Sequence, residues 1–137
     1  MNWTLEVVVV PVSDVDRAKR FYMDQLGFHL DVDRQMSETF RVVQLTPPGS
    51  GCSIAIGTGL VDSPPGSLKG VQLVVNDLHA AHAQLVERGV ACSQIQVFDG
   101  GAPRPEREGD DLNFAGFVFF TDPDGNSWAV QQITARD

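Results

Sequence analysis

Three histidines, His29, His79 and His82, and two cysteines, Cys52 and Cys92, are the imidazoles and thiols of this 137-residue chain, side chains that could grip a metal or attack an electrophile. His79 and His82 stand three apart in a helical pattern, so they could share one face. A zinc site would need further ligands at close spacing, and the sequence offers none. His29 follows a Gly-Phe pair at a strand start and reads as an ordinary surface histidine. The cysteines fit no C-x-x-C spacing, so they read as reduced, structural thiols. There is no G-x-S-x-G, no P-loop and no H-E-x-x-H. "GTG" at 57–59 lacks the strand and helix that a dinucleotide fingerprint requires. "DPDGN" at 122–126 puts glycine fourth, where a calcium loop wants it sixth, and reads as a tight turn.

The elements that must position any site are clearer than the chemistry. Length suits one domain, and an apolar share of 42% can fill a core. No apolar run approaches the roughly 20 residues of a membrane span. The N-terminus lacks a signal-peptide pattern, so a cytoplasmic location is expected. A net charge of −8 speaks against nucleic acid and mildly favours a cationic ligand.

"LEVVVVPV" at 5–12 reads as a buried strand, being rich in β-branched residues. Ser13 and Asp16 resemble a capping box, and Val15, Ala18, Phe21, Tyr22 and Leu26 form one apolar helix face that Gly27 closes. The pattern then repeats. Val71–Val75 reads as a strand, Asn76 as a cap, Leu78, Ala81, Leu85 and Val86 as a helix face, and Gly89 as its close. "VSDVDRA" at 12–18 aligns with "VNDLHAA" at 75–81 at an offset of 63. Three extended segments follow each helix: "FHLDVDRQ", "TFRVVQLT" and "CSIAIG", then "ACSQIQVF", "GFVFFTD" and "SWAVQQI". Each copy reads βαβββ, giving one α+β domain with module one at 1–57, a linker at 58–69 and module two at 70–137. The polar loop at 99–113 is either a mobile flap over a site or a solvated insertion.

Two βαβββ copies, with "PVSDVDRAKRFYMDQLGF" opening the first and "FFTDPDGNSWAVQ" closing the second, resemble the vicinal oxygen chelate superfamily. That group includes glyoxalase I, extradiol dioxygenases and bleomycin resistance proteins. The resemblance covers essentially the whole chain. It implies that each module curls into a half-open barrel sheet around a cavity, with helices on the outer face, and that the protein is a homodimer. In metal-dependent members, the first and last strands of each module carry a ligand. Those positions fall here on Val7, Ala55, Gly70 and Ala129, none of which can donate to a cation. A slip that substituted Glu6 for Val7 would turn its side chain to the other face.

Strand parity extends this set. Val9 lies with Val7, Gln72 and Val74 with Gly70, and Gln131 with Ala129. Leu45 is expected to pack on a helix, which leaves Phe40, Val42 and Gln44 facing the cavity. Phe117 and Phe119 complete an apolar pocket with aromatic walls and a few amides. Glutamine does not titrate, so the pocket has no general base. The resulting expectation is a binding protein without metal, cofactor or catalytic residue, resembling the bleomycin-resistance branch and holding an aromatic or cationic small molecule. The alternative is a metal-dependent glyoxalase-like lyase or extradiol dioxygenase. A third class is a regulatory module without a ligand.

Overall fold

The computed structural model describes residues 1–136 of the chain. They divide into two compact units. The first takes in residues 1–68 and 122–126; the second takes in residues 69–121 and 127–137, of which 137 lies outside the described residues.

In the first unit, β1 (Val7–Val9), α1 (Val15–Arg20), β2 (His29–Ser37), β3 (Phe40–Thr46) and β4 (Ser53–Thr58) follow in order. The sheet runs β1-β4-β3-β2, with β1 parallel to β4 and the rest antiparallel. Asp14 caps α1 by accepting from the Arg17 N–H at 3.0 Å. The helix runs on into a single π turn over Phe21–Gln25, and Gly27 leaves it at φ +74°. Its apolar side packs on β4. Ala18, Phe21, Tyr22 and Phe28 are buried there with Val10, Val43, Leu45, Ile54 and Ile56. The DPDGN turn belongs to this core by both its ends, since Asp122 and Asn126 are buried. Asp122 accepts from the Tyr22 hydroxyl and the Asn126 amide, each at 2.8 Å, and the same amide donates to the Pro11 carbonyl. Each buried polar group thereby finds a partner.

On the rim of the unit, Arg41 donates to Asp33 and Asp16, and Lys19 donates to Asp33 at 2.7 Å. The hydrogen bonds from Arg41 and Lys19 hold the Asp33 carboxyl down at about 2.

The second unit holds β5 (Val71–Val75), α2 (Leu78–Glu87), β6 (Gln96–Val97), β7 (Arg104–Pro105), β8 (Gly116–Thr121) and β9 (Ser127–Gln132), in the sheet order β5-β9-β8-β6-β7. Asp77 caps α2 by accepting from the Ala80 N–H. The helix packs on β8 and β9. Leu78, Val118, Phe120, Trp128 and Val130 are buried, with the Phe120 and Trp128 rings stacked at 6.0 Å. Gly116 is required here: a Cβ would stand 2.9 Å from the Leu112 side chain and 3.1 Å from Leu78.

The half-open barrel does not form. The strands make two open sheets of four and five strands, each with two outer strands, and neither closes nor curls on itself. Closure needs tilt and stagger to bring one edge round to the other. The outer strands β1 and β7 have three and two residues, too few hydrogen bonds to hold such a seam. The loop at 99–113 is tied down rather than loose. Arg104 donates to both Asp99 and Asp110, and the hydrogen bonds from Arg104 and the Arg107 N–H hold the Asp110 carboxyl down at about 2. His79, in the first turn of α2, contacts Glu106 at 2.8 Å.

Candidate functional site

In each unit the helix covers one face of the sheet, and the strand register defines what the other face carries. In the first unit one row crosses all four strands: Val9, Ala55, Gln44, Val32. Val42 and Phe40 continue along β3 at the same parity, and Val7 stands beside Ser53 one step before Val9. The sheet therefore brings Val7, Val9, Phe40, Val42, Gln44 and Ala55 together on one face. Leu45 is fully buried on the helix side, as its parity predicts. At one end of the open face lies a polar ladder. Thr46 donates to Asp31 and shares a 2.6 Å hydrogen bond with Ser53. His29 stands 3.7 Å from the same carboxylate.

In the second unit two rows run side by side. Gln72, Ala129 and Phe119 form one; Val74, Gln131, Phe117 and Gln96 form the other. Gly70 stands one step ahead of Gln72, as Val7 does of Val9. The paired offsets match between the two copies: Val9 opposite Ala55, Gln72 opposite Ala129.

Aromatic rings dominate this second face. Phe117 and Phe119 lie parallel at 6.0 Å, because residues two apart on a strand stand on the same side. Phe98 meets them edge-on, 5.1 Å from Phe117 and 6.1 Å from Phe119. These are favoured geometries for ring quadrupoles. Phe119 stays 38% exposed and Phe98 37%, so the cluster is presented rather than buried. A cavity of about 400 Å³ opens beside it, lined by Gly70, Phe119 and Ala129 among others. Ligand pockets are typically on the order of 300–1,000 Å³.

Amides flank the rings. The Gln131 Nε2 donates to the Phe114 carbonyl at 2.8 Å, and the Gln72 Nε2 donates to the Gln131 Oε1 at 2.5 Å. Phe98, Gln96 and Phe114 were not among the residues expected here. Phe98 and Gln96 share the parity that put Phe117 on this face. Phe114 gives no pattern signal, because it enters through an unusual backbone, with φ at +63°.

The four positions where the metal-dependent pattern wants a donor hold two alanines, a glycine and a valine, so a cation would find no side-chain ligand at them. Among the described residues no three His, Cys, Asp or Glu side chains gather in a way that could hold a metal. Cys52 and Cys92 are free thiols, and burial pushes the Cys92 thiol up. No helix among the described residues is long and apolar enough to cross a membrane.

A model of the Glyoxalase/Bleomycin resistance protein/Dioxygenase superfamily matches residues 4–130. The chain belongs to this superfamily. Among solved structures, it is similar to TnmS3, described as an antibiotic binding protein from Streptomyces sp. CB03234. Identity to TnmS3 is 31%, with 96% of this chain and 97% of that chain covered at a TM-score of 0.74. A glyoxalase/bleomycin resistance protein from the same organism is 32% identical, covering 94% and 100% of the two chains at a TM-score of 0.71. A superfamily member from Sphaerobacter thermophilus DSM 20745 is 27% identical, covering 96% and 98% at 0.74. No curated protein matches.

Proposed function

We propose that this superfamily member binds an aromatic, antibiotic-like small molecule on the open face of its second sheet, and does so without a metal. The observation that carries the reading is the partly exposed Phe98–Phe117–Phe119 cluster, with a cavity opening at Phe119 and the uncharged amides of Gln72 and Gln131 on the neighbouring strands. Such a surface gains by burying flat apolar area and by ring–ring contact. The 31% identity to a protein described as binding an antibiotic supports the same assignment. Metal independence rests on the residue types Val7, Ala55, Gly70 and Ala129. The net charge of −8 favours a ligand with cationic character.

The chain is taken to work as one domain of two modules and as a homodimer, in keeping with its open sheet edges. Light scattering on the purified protein checks the dimer, and a monomer would remove that part. Binding itself is tested by thermal shift against a panel of polycyclic aromatic compounds, on chelator-treated protein whose metal content is measured. The reading expects stabilisation by at least one compound with no stoichiometric metal. Stabilisation that disappears with the chelator, and returns with a divalent ion, would replace it with the metal-dependent alternative.

A further inference from the structure

We propose that Gln72 sets the specificity of this face: it offers a carbonyl oxygen, and the ligand must bring an O–H or N–H donor to it beside the phenylalanine rings. The inference deepens the binding proposal and rests on it.

The orientation of the amides carries the argument. A glutamine amide can present either its oxygen or its nitrogen, and the choice must come from its partners. Here the partner at the far end is a backbone carbonyl, Phe114 O, which can only accept. Gln131 must therefore turn its Nε2 towards it, at 2.8 Å. That leaves the Gln131 Oε1 facing Gln72, which must answer with its own Nε2, at 2.5 Å. The Gln72 Oε1 is left at the end of the chain, with no donor among the described residues. Gln72 is exposed, in the same row as Ala129 and Phe119. Linked amides polarise one another, which makes the terminal oxygen a better acceptor.

The carbonyl that directs this chain is itself held in place. Phe114 sits at φ +63°, a region that a bulky side chain rarely adopts. Its N–H donates to the Gln132 carbonyl at 2.8 Å. The neighbouring Asn113 side chain accepts from the Thr134 N–H at 2.6 Å and donates to the Ala135 carbonyl. A sparsely populated conformation fixed from both sides is the kind of backbone found where a site needs a group aimed. A phenolic or N–H-bearing arene would stack on the rings and donate to Gln72. A methylated analogue would desolvate the same oxygen without giving it a partner.

Equilibrium dialysis with 2-naphthol and 2-methoxynaphthalene on the whole chain tests this. The wild type is expected to bind the naphthol about tenfold more tightly, a modest figure because Gln72 is exposed. Gln72→Met should erase the preference, bringing the two affinities within about twofold of each other, since the acceptor that separates them is lost. Gln131→Met, which frees Gln72 to turn, should narrow it. Measurable but equal binding of both arenes by the wild type would overturn the role of Gln72 and leave the binding proposal standing. If neither arene binds, the role of Gln72 fails, and the binding proposal falls with it only if no compound of the polycyclic panel stabilises the protein either.

Discussion

The two open faces share a register and differ in almost everything that register presents. Val9, Ala55, Gln44 and Val32 cross the first sheet; Gln72, Ala129 and Phe119 cross the second. The alanines coincide, yet aliphatic chains surround one and phenylalanine rings stand beside the other. The polar groups differ as well. Asp31, Thr46 and Ser53 satisfy each other at the edge of the first face, whereas Gln72 ends its chain with an acceptor to spare. On the helix-facing sides the copies agree, with branched aliphatics on both and rings added in the second. Packing against a helix restricts that parity to residues that fill a core. The other parity is free to differ, and there the second copy gathers its aromatic cluster.

The largest expected effect probes the shared side. Ile56 is fully buried, and Ile56→Ala should destabilise by about 2–4 kcal/mol in urea unfolding. A loss below 1 kcal/mol would mean that the helix-facing core is not the scaffold described. Next is the charged rim of the first unit. The folded Asp33 carboxyl titrates at about 2, below the roughly 3.9 of an unfolded aspartate. Its stabilisation is thus fully present above pH 4 and is lost as pH falls towards 2. With a quarter of the side chain exposed, solvent screening leaves about 1–2 kcal/mol. Asp33→Asn should cost this much at pH 7 and flatten the acid limb between roughly pH 4 and 2; an unchanged limb would show that the pairing contributes nothing.

A smaller effect separates the two faces. Phe119→Ala should weaken binding of 2-methoxynaphthalene about tenfold while lowering stability by less than about 1 kcal/mol, because the ring is partly exposed already. Equal losses in binding and stability would mark it as ordinary core. The smallest is the counterpart on the first face. Gln44→Leu should change the same affinity by less than about twofold. A larger change would move the site, or part of it, onto the first sheet.

Much of this architecture can be read from residue patterns. Val71–Val75 is the strand that its β-branched run predicts, and Gly27 and Gly89 leave their helices at positive φ as helix-closing glycines do. Both helix caps fall one residue later than the pattern suggests, on Asp14 and Asp77 instead of Ser13 and Asn76, because all these side chains can accept from a helix N–H. Other features depend on contacts that no local pattern carries. The segment read as a strand over 91–98 pairs continuously only at Gln96–Val97, with a separate bridge from Cys92 to Phe120. Strand β7 contains a proline, and its Arg104 holds the surrounding loop by pairing with Asp99 and Asp110, five residues before it and six after, at spacings that together match neither a helix nor a strand period. The open sheets depend on how long the outer strands grow, which strand periodicity does not encode. Of the candidate site, parity placed the shared face, while Phe114 needed a backbone conformation that residue type alone would argue against.

Chemical-shift mapping on isotope-labelled protein titrated with 2-methoxynaphthalene tests the central claim most directly. The account predicts that the shifting amides concentrate around residues 70–74, 96–98, 114–119 and 129–131, with the same pattern after chelator treatment. Shifts gathered on the first sheet or on either helix, or a response that requires an added divalent ion, would contradict it.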